Sequence, residues 1–183
     1  MTNSNNNQME LAYPIGKHQM HSHYESKWVL QAIEDVSKLP YDLLIATKDL
    51  SQSQLSTSYR PGGWTLRQVI HHLADSHMNA YCRFKLGLTE TIPSIKPYNE
   101  ALWATLPENE TTPVLVSIQL LEALHLRWVN TLSAMHETDF SRNVIHPQYM
   151  KSFTLWQLLS LYQWHGKHHV AHITQTIKIN GWN

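Results

Sequence analysis

Histidine is the residue type with the most chemistry to offer in this sequence: 13 of 183 residues, seven of them in two segments. His71, His72 and His77 lie in one segment, and His165, His168, His169 and His172 in the other. His125, between the two, is an eighth candidate. Three neutral imidazoles converging on one point hold Zn²⁺ or a similar divalent ion and leave a position for water or substrate. Imidazole also suits nickel, copper and iron, so the donor type does not name the metal. An ion so held lowers the pKa of a bound water toward about 7, or binds a thiolate directly. A single pair of histidines four apart on a helix is ordinarily a surface or hydrogen-bonded core feature. Two clusters on separate elements strengthen the metal reading.

Those side chains need a frame. From Glu25 to Asp49 the apolar residues Trp28, Val29, Ala32, Ile33, Val36, Leu39, Leu43, Leu44 and Ala46 recur at helical spacing. Pro40 interrupts them, which predicts one kinked helix or two helices meeting there. Tyr59 to Gly63 reads as a loop. Thr65 and Gln68 then form a capping-box pattern that opens a second helix running to about Thr89. Repeated prolines between Pro93 and Pro113 predict a long connection, with a short helix around Asn99 to Leu106. Pro113 starts a third helix through Leu115, Ile118, Leu121, Leu124, Trp128 and Leu132 to Met135. Phe140 to Phe153 reads as an irregular, hairpin-like excursion with no convincing strand run. Thr154 and Gln157 cap a last helix that stops at Gly181. Residues 1–10 read as a flexible, Asn-rich tail, leaving 11–183 as a single domain. Four long helices with one long crossover predict an all-α four-helix bundle, an architecture that builds metal sites on facing helices.

Helical phase sorts the histidines. At about 100° per residue, His169 falls inside the apolar face of the last helix and His165 on its border. His168 and, by a narrower margin, His172 lie toward the polar side. Gly166 sits close to the interior line, where a missing side chain leaves room beside an ion. In the second helix His77 is in the middle of the buried face, His72 at its margin and His71 well outside. Phase alone leaves His72 and His77 as rivals for a third ligand, with Asp75 and Ser76 one turn beyond His72.

The remaining composition narrows the function. Fourteen Lys and Arg balance fourteen Asp and Glu, so the strong basic field of a nucleic-acid or anionic-membrane binder is missing. No apolar run is long enough to span a bilayer and the start lacks the pattern of a secretory signal, which gives a cytoplasmic expectation. The single Cys82 rules out an intrachain disulfide and multi-cysteine metal sites. It falls on the polar side and reads as structural. No phosphate-binding glycine loop, nucleophile elbow or His-Glu-x-x-His motif is present.

The run from Gly62 to Asn79, with Arg83 to Leu86, resembles the second helix of YfiT-like proteins in the DinB superfamily of metal-binding four-helix bundles. Tyr162 to Thr174 resembles the last helix of the same group. Tyr13 to Gly16, Lys96 to Tyr98 with Trp103, Leu124 to Trp128, and His146 with Pro147 extend the match over nearly everything after the tail. The resemblance implies a three-histidine site made of His72, His165 and His169, and so favours His72 over His77. It also implies one zinc or nickel ion, a homodimer, and activity either as a metal-dependent hydrolase or as an S-transferase joining bacillithiol to electrophiles.

Three functions follow as expectations. A hydrolase would use a water on the ion and needs a base, for which Asp75 and Glu122 are the nearest carboxylates by helix position. A thiol transferase would bind a low-molecular-weight thiolate on the ion, and because coordination itself deprotonates the thiol, it asks less of the protein. A non-catalytic metal or small-molecule binding module would close the shell with His77, His168 or His172. Trp103, Trp156 and Trp164 are candidates for an aromatic cavity wall around a small-molecule substrate.

Overall fold

Threonine caps set the starts of the two histidine helices. Thr65 Oγ1 accepts the Gln68 N–H at 3.2 Å, and Gln68 Oε1 accepts the Thr65 N–H at 2.9 Å. Thr154 and Gln157 repeat the arrangement at 3.3 and 3.0 Å. Each box satisfies donors that a helix start leaves unpaired. The computed structural model, which describes residues 9–182, places four long helices: α1 (Ser26–Thr47), α3 (Leu66–Thr89), α6 (Val114–Ser133) and α8 (Leu155–Ile179). Short helices α2 (Gln52–Leu55), α4 (Glu100–Trp103), α5 (Glu108–Thr111) and α7 (Glu137–Phe140) occupy the connections. Of the expected flexible tail, residues 1–8 lie outside the described residues, and residues 9–12 form a helical turn.

Pro40 lies inside α1, which continues through it as one helix rather than two. The hairpin-like excursion is a two-stranded antiparallel ribbon, β1 (Asn143–His146) with β2 (Lys151–Thr154), Asn143 opposite Thr154. Strands of four residues carry too little alternation to be read as strands. The short helix expected around 99–106 is α4, and a second short helix, α5, follows it.

α1 packs against α6 and α8, and α3 packs against the same two helices. The consecutive long helices α1 and α3 therefore face each other across the diagonal of a four-helix bundle. One half of the core gathers Val36, Ala80, Phe84, Trp128, Leu155, Leu159 and Tyr162, and the other Leu39, Leu43, Val69, Ile70, Leu73, Leu121 and Ile173. Close approach of α1 to α8 requires Gly166, because a Cβ there would stand 2.8 Å from Leu39 Cδ2. Gly166 thus serves helix packing, which corrects the expectation that it leaves room beside an ion. No helix among the described residues is long and apolar enough to cross a membrane.

Candidate metal centre

α3 and α8 lie side by side, and their facing turns bring His72, His165 and His169 together. One ligand atom from each lies within 4.8 Å of the others. His72 Nε2 and His165 Nε2 are 3.1 Å apart. The ring centroids of His72 are 5.1 Å from His165 and 4.9 Å from His169, and those of His165 and His169 are 4.5 Å apart. His165 and His169 are one turn apart on a single face, the spacing that lets two rings reach one point.

Burial holds these imidazoles neutral. It pushes the pKa of His72 down to about 4. His165 and His169 fall well below the ordinary histidine value, through burial first and the neighbouring histidines second. Neutral imidazole is the ligand form, so the donor set fits a divalent ion: bonds of about 2 Å at tetrahedral angles put donors roughly 3.3 Å apart, which the 3.1 Å between His72 Nε2 and His165 Nε2 nearly matches, and a small adjustment of the rings brings the third within range.

A cavity of about 350 Å³ opens beside the cluster, lined by all three histidines together with Trp64, Ser76, Arg83, Tyr98, His146 and Tyr162, among others. Trp64 packs on His72 at 4.6 Å and stacks over His169 at 6.4 Å. The Arg83 guanidinium donates to the Tyr162 hydroxyl and, at 3.1 Å, to the Lys96 carbonyl, while its Nε is buried without a partner. Burial raises the Tyr98 hydroxyl to about 12. Of the three tryptophans expected in the wall, Trp164 is there, Trp156 belongs to the core, and Trp103 packs on Tyr98 at 4.5 Å.

Neither carboxylate candidate lines this cavity. Asp75 is half-buried, and burial with the nearby Glu108 raises its pKa to about 6. Glu122 is exposed and lines a groove between α1 and α6. Sequence reasoning passed over Trp64, Arg83, Tyr98 and His146 as site residues. All four stand in segments that carry the family resemblance, and Trp64 also adjoins the Thr65 cap, so position beside the histidine helices was the available signal.

The other histidines of α3, α6 and α8 are also buried, against the phase argument for three of them. His71 meets α6, where its Nδ1 is 2.7 Å from Ser117 Oγ. His168 stacks on Trp164 with centroids 4.3 Å apart and packs near Tyr13. His172 stacks on Tyr59 at 4.0 Å, and its Nε2 donates to the Ala12 carbonyl at 3.3 Å. Residues 9–18 and the loop before α3 cover what a lone helix would expose. His77 and His125 form a buried pair behind the cluster, His77 Nδ1 lying 3.0 Å from His125 Nε2. Cys82 is exposed on the far side of α3 and does not line the cavity.

The family model for the DinB superfamily matches residues 36–173. A protein of Bacillus cereus (strain G9842) that carries the name "putative metal-dependent hydrolase" is 46% identical over 173 residues, spanning 94% of this chain and 99% of its own length. A protein of the same description from Bacillus thuringiensis subsp. konkukian (strain 97-27) is 47% identical with the same coverage. Among solved structures, YfiT from Bacillus subtilis superimposes with a TM-score of 0.93 at 42% identity, over 95% of this chain and 99% of that one. That structure is described as a probable metal-dependent hydrolase with an unusual four-helix bundle topology.

Proposed function

Because the chain belongs to the DinB superfamily, we propose that His72, His165 and His169 hold one divalent metal ion and that the protein is a metal-dependent hydrolase of a small molecule seated in the adjoining cavity. The observation that carries this reading is the shape of the donor set. Three imidazoles from two helices open on a cavity, and no fourth residue joins them in a ligand group among the described residues. Structural ions take four protein donors, whereas catalytic ones keep a position for solvent or substrate. A closed shell would need His77, His168 or His172, but His77 and His172 are engaged elsewhere and His168 is stacked on Trp164.

The donor type does not name the ion, and the family resemblance favours zinc, with nickel the alternative. Such an ion supplies Lewis acidity, lowering the pKa of a water or thiol at its open position. The chain's own residues do the rest. Trp64 and Trp164 present apolar faces that exclude solvent and pack against substrate carbon. Arg83 has no carboxylate partner among the described residues, so its guanidinium favours a substrate carrying a negative group.

Thiol transfer is the second reading: Asp75 and Glu122 are absent from the cavity, whose one carboxylate is that of Glu100. A metal-bound low-molecular-weight thiol, of the bacillithiol kind, needs no carboxylate base.

The test is metal content of untagged protein by mass spectrometry, with two parallel assays: hydrolysis of chromogenic esters with and without a carboxylate, and conjugation of a low-molecular-weight thiol to a chromogenic electrophile. About one ion per chain and ester hydrolysis lost on chelation are expected. Conjugation without hydrolysis replaces the first reading by the second. No ion after reconstitution overturns both.

A further inference from the structure

Behind His165 stands a line of groups that begins at a proline. Pro40 has no N–H, so the Val36 carbonyl, four residues earlier in α1, lacks the partner a helix normally gives it. His125 of α6 fills that place: its Nδ1 donates to the Val36 carbonyl at 2.7 Å. His125 Nε2 is 3.0 Å from His77 Nδ1, and His77 Nε2 is 3.3 Å from His165 Nδ1. His77 and His125 are 0% and 2% exposed, with ring planes 14° apart.

The direction of each hydrogen bond follows from the first. A carbonyl oxygen only accepts, so the proton of His125 is on Nδ1, and in a neutral ring Nε2 must then accept. His77 therefore donates from Nδ1 and accepts at Nε2, and His165 donates from Nδ1. The rings pack against one another with no anion among their partners, which favours the neutral form. The bare lone pair of His165 is left on Nε2, the atom that faces His72.

A second, shorter line ends the same way. His172 Nε2 donates to the Ala12 carbonyl, so its Nδ1 accepts, and the His169 Nδ1 that lies 3.4 Å away donates to it. His169 too keeps its lone pair on Nε2.

We propose that these two carbonyl-terminated histidine relays, Val36–His125–His77–His165 and Ala12–His172–His169, fix the tautomers and ring orientations of the α8 histidines, so that both offer Nε2 to the ion. His77, His125 and His172 are positioning residues, and Pro40 frees the acceptor on which the longer relay ends. The inference rests on the metal site proposed above. Ligating histidines are generally oriented by whatever their other nitrogen bonds; here a main-chain carbonyl acts through one intervening ring or two.

The test reads ring protons directly. In metal-free wild-type protein with ¹⁵N-labelled histidine, long-range ¹H–¹⁵N NMR is expected to find Nδ1–H at His125, His77, His165 and His169, and the opposite tautomer, Nε2–H, at His172. An Nε2–H ring at His165 or His169 overturns the proposal. In parallel, His77→Phe, which keeps a ring in the core, is expected to weaken Zn²⁺ affinity by about 10- to 100-fold in chelator competition. Undiminished affinity in a folded variant overturns the longer relay. Should His77→Phe fail to fold, the wild-type tautomers still decide. Wild-type protein that binds no metal removes the proposed function, whereas wild-type protein that binds metal with the wrong tautomers removes this inference alone.

Discussion

The Nε2 atoms of His72 and His165 stand 3.1 Å apart although 93 positions separate the two residues in sequence. Contact over that separation pins α3 to α8 at the centre of the bundle. If the pair and His169 are the ligands, His72→Ala, His165→Ala and His169→Ala should each reduce bound metal from about one ion per chain to near none. His168→Ala should leave it in place. Mass spectrometry of the purified variants decides, and the opposite pattern removes this ligand set.

Gly166 is held by packing. In Gly166→Ala the new methyl meets Leu39, with Cδ2 at 2.8 Å and Cδ1 at 3.2 Å. Overpacking of this kind costs about 1–3 kcal/mol, and the gain of alanine over glycine in a helix offsets up to about 1 kcal/mol. A lower Tm by roughly 2–6 °C is expected by calorimetry. An unchanged Tm would mean that Leu39 swings clear.

Acid should loosen the metal-free protein through His125. Burial lowers this ring's pKa to about 4, against 6.5 unfolded, with the Val36 hydrogen bond opposing the shift. Between those values the unfolded chain binds the proton and the folded one does not. Stability is therefore complete above about pH 6.5 and is lost progressively down to about pH 4, by roughly 3 kcal/mol from this group. Urea titrations at pH 7 and pH 5 should show the decline, and His125→Leu should lessen it by this ring's share, the other buried histidines keeping the rest. Equal slopes in both proteins would assign the acid sensitivity elsewhere.

The homodimer implied by the family resemblance needs an apolar face to bury. Tyr41 and Leu44 of α1 and Leu126 of α6 are exposed along one groove. Light scattering is expected to give the mass of two chains, and Leu126→Glu the mass of one. A wild-type monomer at micromolar concentration would overturn the dimer that the resemblance implies.

Legibility in the sequence followed the range of the interaction. Thr65 and Thr154 were readable as helix starts because a capping box is complete within four residues. The four long helices were readable because each carries its own apolar stripe. β1 and β2 were not, since four residues hold too little pattern. The burial of His71, His168 and His172 was also hidden: phase describes one helix in isolation, and what covers these rings comes from α6, from residues 9–18 and from the Tyr59 loop. Gly166 was read correctly as interior, but which neighbour needed the space depends on α1. His72 was separated from His77 by family resemblance alone, and the geometry now gives the reason for their different surroundings. His72 faces the cavity, whereas His77 spends both nitrogens on other histidines.

The contact between His172 and Ala12 joins positions 160 residues apart. Synthesis on the ribosome runs from the N-terminus, so Ala12 emerges long before the ring it accepts from, and α1, α3 and α6 are complete while the bundle still lacks its fourth helix. Until α8 arrives, the faces of α1 and α3 that it covers stand open to water, as does His72. The order of emergence thus makes the cavity, its histidine cluster and its cover a single late event in the birth of the chain.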